Sequence, residues 1–245
     1  MKSQLVLVKN LPMSDQEAMY SLLENYFEGV TWNGFQSDLE RKNWALLLKD
    51  ESNVLKGFST LLLCQRVFSG EQISVVYSGD TIVDLTARFS TMLPRTWIAA
   101  VNLLHQRHAE SRLYWLLICS GFRTYRFLPT FWKEFYPRYD ATTPHDHADL
   151  ITHLAREYYG DYYQEATGIV RFKHPQVLRN GLIEIPTGRQ TNPDIQFFEA
   201  KNPGYRQGDE LVCLTEIGSH NLTRSGQRMW QAGSPLEFGQ ESGLI

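Results

Sequence analysis

The familiar sequence fingerprints are missing from this chain. No G-x-G-x-x-G, Walker loop, G-x-S-x-G or paired C-x-x-C occurs, which removes the usual signatures of dinucleotide binding, P-loop chemistry, serine hydrolases and zinc ribbons. Cysteine is scarce. Cys64, Cys119 and Cys213 are the only three, each inside an apolar strand-like run, so they read as small buried hydrophobes and not as a disulfide framework. An excess of charge of one sign is lacking too: the formal net charge is −3 over 245 residues, which offers no basic field for nucleic acid. No apolar run approaches a membrane span, and MKSQLVLVKN is too short and too soon interrupted for a signal peptide. The expected setting is therefore a reducing, cytoplasmic one, with neither nucleic acid nor membrane as partner.

What is plentiful is aromatic side chain, 13% of the residues, on a chain long enough to bury a sizeable core. QLVLVKN reads as a first strand. SDQEAMYSLLENYF follows as a helix with Ser14 at its cap, Glu17 completing a capping box, and Met19, Leu22, Leu23 and Tyr26 on one face. VTWNGFQSDLERKN predicts a turn at Asn33 and Gly34 and a short second helix from Asp38 to Lys42. Then NWALLLKDE, LKGFSTLLLCQRVF and ISVVYSGDTIVDLTARF form three strand-like runs joined by turns, an antiparallel meander. LPRTWIAAVNLLHQRH has helical spacing, with Leu93, Trp97, Ala100, Val101 and Leu104 on one face and Pro94 in the first turn. RLYWLLICSG is the continuous apolar run of a strand buried on both faces. Ile73 to Cys119 is thus a βαβ unit, and the whole is organised around it. FRTYRFLPTFWKEFYPRYD predicts one helix and PHDHADLITHLAREYYGDYY another, with Ile151, Leu154, Ala155, Tyr158 and Tyr162 together. From Gly168, short strand candidates alternate with turns, and from Ser225 the composition becomes that of a loosely held tail.

The order β–α–α–β–β–β–α–β–α, carried by these segments over Gln4 to Asp140, resembles the GNAT superfamily of N-acyltransferases. The resemblance implies an α/β fold: a GNAT-like mixed central sheet with flanking helices, here as a core at 1–140, a C-terminal α+β extension of helix and strands at 141–224, and a flexible tail at 225–245. It further implies acyl transfer from an acyl-coenzyme A thioester, acetyl or longer, to a small-molecule amine. In the family the fourth strand and the following helix bind the coenzyme pyrophosphate through a loop R/Q-x-x-G-x-G/A. Here Arg88 matches, and Ser90, Thr91 and Leu93 stand in place of the glycines. The implied donor-binding residues are Ile82, Val83, Asp84 and Leu85 along the exposed edge of the fourth strand, and Arg88, Ser90, Thr91, Met92 and Arg95 at the loop and helix start. Loss of the glycines brings in a second donor class, an acyl chain on an acyl carrier protein, as in the long-chain N-acyl amino acid synthases of this fold. A function of another class is a catalytically inactive GNAT-like module that binds a ligand or partner.

The chemistry needs a base for the amine proton and an acid for the leaving thiolate. Asp80 and Asp84, four apart on the fourth strand, share a face under strict alternation and are the candidate bases; the plainer reading of SGD is a bend or bulge in which Asp80 bonds turn amides. Tyr77 falls on the opposite face. Tyr125, on the helix after the fifth strand, is the candidate acid, against an ordinary aromatic stripe. The rings of AREYYGDYY are suited to walling an acyl or amine pocket, or to forming a packed cap. His145, Asp146, His147 and His153 lack the spacing of a metal site, and none is expected. Asn221-Leu222-Thr223 is a glycosylation sequon in form only.

Overall fold

The computed structural model describes residues 1–87, 90–179 and 181–231. From the N-terminus, β1 (Lys2–Leu7) leads through α1 (Met13–Tyr26), a two-residue strand β2 (Phe27–Glu28) and α2 (Trp32–Leu39) to the strands β3 (Trp44–Lys49), β4 (Leu55–Phe68) and β5 (Glu71–Val83). Next come α3 (Met92–Arg107), β6 (Arg112–Cys119), the short α4 (Phe122–Tyr125) and α5 (Phe127–Phe131), and α6 (His145–Tyr159). The two-residue strands β7 (Tyr163–Gln164), β8 (Ile169–Val170) and β9 (Val177–Leu178) precede α7 (Pro193–Lys201), β10 (Glu210–Ile217) and α8 (Arg224–Gln231). Eight strands form one sheet in the order β1-β3-β4-β5-β6-β10-β8-β7. All its neighbours run antiparallel except β5 and β6, which α3 connects in parallel. The architecture is mixed α/β and GNAT-like in element order. The fourth and fifth expected strands are β5 and β6.

The sheet is buried on both faces. On one side Leu46, Leu61, Val76, Trp115 and Leu117 pack with α3 residues such as Trp97 and Val101 and with α5. On the other, Ala45, Leu47, Phe58 and Ile82 lie beneath α1 and α2, while Ile73, Val75, Leu116, Val212 and Leu214 lie beneath α6. Each valine, leucine, isoleucine or phenylalanine among them, fully withdrawn from water, stabilises the fold by ~1.5–3 kcal/mol before entropy is counted.

Several local expectations are corrected. α1 starts at Met13 behind Pro12 with no side-chain cap, so Ser14 lies inside the first turn and there is no capping box. Asn33 and Gly34 do not break α2; they form its first turn, where Thr31 Oγ1 accepts from the Gly34 amide at 3.2 Å. The single helix expected after β6 is two short ones. Pro129 has no N–H to give the Tyr125 carbonyl, so α4 cannot run through it, and from Trp132 the chain turns extended, with Tyr136 bridged to Leu214.

The boundary at residue 140 does not divide the sheet. β10, from the expected extension, pairs with β6 along its length, from Leu211↔Cys119 to Ile217↔Leu113. Nor are residues 225–231 a loose tail: they belong to α8, and Asn102 Nδ2 on α3 donates to the Trp230 carbonyl at 3.0 Å. The rest of the expected tail lies outside the described residues. Among the described residues, no helix is long and apolar enough to cross a membrane.

Candidate functional site at the parting of β5 and β6

β5 and β6 stay in register only from Ile73↔Arg112 to Tyr77↔Leu116. Past that row β5 keeps to β4 and β6 keeps to β10, so the sheet opens between them. The cause lies in the β4–β5 ladder, where Leu61 pairs with Ser78 and Ser59 with Thr81, leaving Gly79 and Asp80 opposite Thr60 alone. That extra residue is a β-bulge, which bends its strand away from the neighbour. Gly79 suits the bend because a Cβ there would run into Thr60 Oγ1 and come within 2.7 Å of Lys42 Cε. Just past the last paired row, Ser78 Oγ accepts from Trp115 Nε1 at 2.8 Å.

The bulge also shifts the in-and-out alternation by one position. Asp80 therefore turns to the same side as Tyr77, the side of α2 and α6, and not to the opposite one as strict alternation predicts. There the Tyr158 ring stacks on Tyr77 with centroids 5.5 Å apart, and Tyr159 meets Tyr77 edge-on at 6.3 Å. Lys42 Nζ sits 5.1 Å from the Tyr77 ring centroid and is held by both Asp38 carboxylate oxygens at 2.6 and 2.7 Å. Its side chain is only 2% exposed, so this cation is fully committed. Glu210 opens β10, in phase with Val212 and Leu214 of the α6-side cluster.

Electrostatics tie these groups together. Burial raises the Asp80 carboxyl to about 7, the charge of Asp38 adds to the effect, and Lys42 opposes it. Burial raises Glu210 to about 8, and the charge of Asp80 pushes the same way. Burial likewise raises the Tyr77 and Tyr159 phenols, each of which feels Glu210. Two half-buried carboxyls within electrostatic reach of one another thus hold protons into the neutral range. Thr60 Oγ1, opposite the bulge, is buried with no hydrogen-bond partner among the described residues. A carboxyl that titrates near neutrality can accept a proton from a bound amine, and the surrounding rings and carboxylates suit a cation.

The structure separates the expected site residues. Asp80 is in the bulge, as the plainer reading has it, and among the described residues no turn amide donates to it. Asp84 lies past the end of β5, where its Oδ1 accepts from the Thr86 amide at 2.8 Å and hydroxyl at 2.5 Å. Those bonds hold its carboxyl below the usual range, so it is a turn cap and not a base. Tyr125 is corrected as well: it is 0% exposed, packed against Phe135 and Phe198, and donates to the Pro137 carbonyl at 3.0 Å. Burial carries its phenol far above the ordinary range, which makes it a core residue and no acid.

The edge expected to hold the donor is largely bonded already. Ile82 is buried beneath α1 and α2, the Val83 carbonyl accepts from Tyr26 Oη at 2.9 Å, the Asp84 amide donates to the Lys56 carbonyl, and Leu85 stands 50% exposed in a turn. Arg88 lies outside the described residues. At the start of α3, the Ser90 amide bonds the Ala87 carbonyl, the Met92 amide bonds Ser90 Oγ at 3.1 Å and the Arg95 amide bonds the Thr91 carbonyl. Pro94 has no amide hydrogen to offer. The Thr91 and Arg95 side chains are exposed and Met92 is half-buried against the core.

Sequence reasoning missed Lys42, Asp38, Thr60 and Glu210. Glu210 carried a weak signal, a carboxylate in phase with buried positions of a strand. Lys42 carried none, because its burial depends on the bulge of another strand. The helix histidines make local contacts: His145 with Asp149, His147 with Asp146, and His153 against the Phe68 ring. The sequon asparagine is a buried pin, with Asn221 Nδ2 donating to the Glu134 and Glu216 carbonyls and Oδ1 accepting from the Glu134 amide. A shallow groove of about 470 Å³ lies apart from the bulge, lined by Met13, Glu17, Tyr20, Ser21, Trp32 and Gln36 of α1 and α2.

No family model matches the chain, and no curated protein matches it. Solved structures do. A conserved protein of unknown function from Enterococcus faecalis V583, described as a probable N-acyltransferase, aligns at 11% identity and TM-score 0.41, over 89% of this chain and 66% of that one. A GNAT-family N-acetyltransferase of Escherichia coli in complex with CoA aligns at 17% identity and TM-score 0.37, over 54% of this chain and 69% of that one. Glucosamine-6-phosphate N-acetyltransferase from Arabidopsis thaliana aligns at 14% identity and TM-score 0.36, over 49% and 83%. At these values the reading of the fold rests on its strand order and the site geometry above.

Proposed function

We propose that the chain is an N-acyltransferase that moves an acyl group from a thioester donor to an amine at the parting of β5 and β6. The observation that carries the proposal is the bulge at Gly79 and Asp80, which lies just past the end of the parallel β5–β6 pairing and carries a carboxyl raised by burial to about 7. In this reading Asp80 takes the proton of the attacking amine as the nitrogen–carbon bond forms. The carbon–sulfur bond breaks, and the leaving thiolate is reprotonated from solvent, Tyr125 being buried in the core with its hydroxyl bonded to the Pro137 carbonyl. Positioned acid–base catalysis of this kind contributes ~10²–10⁴ in rate.

The start of α3 favours a second reading of the donor. A helix N-terminus cradles a pyrophosphate with several free amides, and here Ser90 Oγ and Pro94 remove two of them. A donor gripped by its acyl-pantetheine arm, as on an acyl carrier protein, asks less of this loop than coenzyme A does. The test is thiol release from acetyl-CoA, a long-chain acyl-CoA and an acylated carrier protein when an amine is added, with wild type compared to Asp80→Asn. Acceptor-dependent release that Asp80→Asn abolishes supports transfer, and the preferred donor names the class. Binding of donors without release in any combination leaves the non-catalytic module instead.

A further inference from the structure

From Asn10 to Glu40 the chain holds six carboxylates and no lysine, arginine or histidine. Three of the six are answered from outside the segment: Asp15 by Lys49 at 2.6 Å, Asp38 by Arg41 and Lys42, and Glu28 by Arg179 at 3.5 Å. Among the described residues Glu17, Glu24 and Glu40 have no ion pair, and Glu17 lines the groove of about 470 Å³ between α1 and α2. The walls of that groove follow from helix periodicity. Met13, Glu17 and Tyr20 recur at steps of four and three on α1, and Trp32 and Gln36 at a step of four on α2, so each set forms one stripe. Tyr20 and Trp32 meet edge-on, with ring centroids 5.2 Å apart and planes at 88°, and present ring faces at right angles. Phe35, 2% exposed, backs both rings at 5.8 and 5.9 Å, and Thr31 Oγ1 caps α2 immediately before Trp32. Packing therefore fixes this corner in advance of any ligand. Tyr20 Oη reaches Glu24 Oε1 at 3.5 Å, which brings a second unpaired carboxylate beside the same ring. None of the groove's lining residues is a cation.

We propose that the groove binds a small quaternary ammonium ion without an acid group, of the choline type, its alkylated head in the corner of Tyr20 and Trp32 and its charge answered by Glu17. The parts select that class together. Aromatic faces attract a cation through the ring quadrupole. A primary ammonium or a metal ion would give up strong hydration for few oxygen ligands in so open a groove, whereas an alkylated head is weakly hydrated and adds apolar contact with both rings and with Met13, 54% exposed at the groove. A neutral ligand would leave Glu17 unanswered, and an anion would meet the acidic face of residues 10–40. No group named for acyl transfer lines the groove, so this site and that reading stand or fall separately.

The experiment is calorimetric titration of the full chain with choline, with its uncharged carbon isostere 3,3-dimethylbutan-1-ol, and with glycine betaine, which adds a carboxylate to the same head. Choline should bind at least about tenfold more tightly than the isostere, the discrimination that ring faces and a carboxylate supply for a cation, and betaine should bind more weakly than choline. Trp32→Leu keeps apolar bulk but removes the larger ring face, and should bring choline to within about threefold of the isostere. Glu17→Gln should weaken choline by roughly two- to fivefold, the size of an exposed charge pair, and leave the isostere unchanged. If Trp32→Leu does not fold, wild type and Glu17→Gln decide, since Glu17 is exposed and outside the core. Choline no tighter than its isostere overturns the proposal, as does betaine as tight as choline, or choline affinity unchanged by Glu17→Gln.

Discussion

The two sides of the opening between β5 and β6 are built to different ends. On the α3 side Trp97 and Trp115 lie with ring centroids 4.1 Å apart, Trp132 sits 5.0 Å from Trp115, and Phe127 closes the group at 5.7 Å. Trp115 Nε1 donates to Ser78 Oγ there, while Trp132 Nε1 is buried without a hydrogen-bond partner among the described residues. On the α6 side the same two strands present Tyr77 and Asp80, with a neighbouring carboxyl on β10, and burial raises both carboxyls toward neutrality. Buried carboxyls that stay protonated toward neutrality are costly to ionise in place. The tryptophan side holds the sheet together, and the tyrosine side is the one with chemistry left unspent.

The largest expected effect tests the first half of that contrast. Trp132→Ala should cost ~3–5 kcal/mol, because a fully buried ring leaves a cavity its neighbours cannot fill, read as a fall in urea midpoint. Tyr158→Ala, removing a half-buried ring from the other side, should cost roughly 1–2 kcal/mol. If the two truncations cost the same, the α6 side is ordinary core. Asp80→Asn probes the second half: turnover should drop ~10²–10⁴ while the melting temperature does not fall.

The pH dependence follows with a definite sign. Asp80 and Glu210 keep protons in the folded chain up to about 7 and about 8, whereas the unfolded chain gives them up near the ordinary carboxylate values of roughly 4. Over that window the native state binds more protons, so these two groups make stability fall as pH rises, with the cost complete above about 8 and absent below roughly 4. The difference in unfolding free energy between Asp80→Asn/Glu210→Gln and wild type should therefore grow in favour of the variant across the window. A difference that stays constant with pH would mean the carboxyls are ordinary and solvated.

The elements were far more legible in the residues than the site was. Period-two and helical spacing predict β3 to β5, α3 and β6, because burial enforces those periods locally. What single-sequence reading cannot see is the bulge, since one extra residue in a ladder depends on the partner strand: Gly79 signals a bend, but only Thr60 opposite shows which residues change face. That one residue moved Asp80 to the side of Tyr77. It also made Lys42 and Glu210, remote in sequence, part of the same cluster. Tyr125 misled for the opposite reason. Its position in the chain suited an acid, and its burial against Phe198 of α7 came from a segment whose docking no local pattern reports. Tyr125→Phe should accordingly cost about 1 kcal/mol for the lost bond to Pro137 and leave turnover unchanged.

The smallest effect sharpens the comparison most finely, because it sets two carboxylates of one short segment against each other. Asp84 caps its turn through Thr86 and lies near Lys56, so its ionised form is the stabilised one. Its contribution is present above the ordinary carboxylate value and is lost as pH falls through its depressed pKa, the reverse of Asp80. Asp84→Asn keeps an oxygen able to accept from the Thr86 amide, so the loss should be only a few tenths of a kcal/mol to about 1, seen near neutral pH and vanishing in acid. Asp80→Asn should gain stability over the range where Asp84→Asn loses it. If the two variants shift stability with the same sign at neutral pH, then Asp80 is a second turn cap, and the opening between β5 and β6 has no desolvated base.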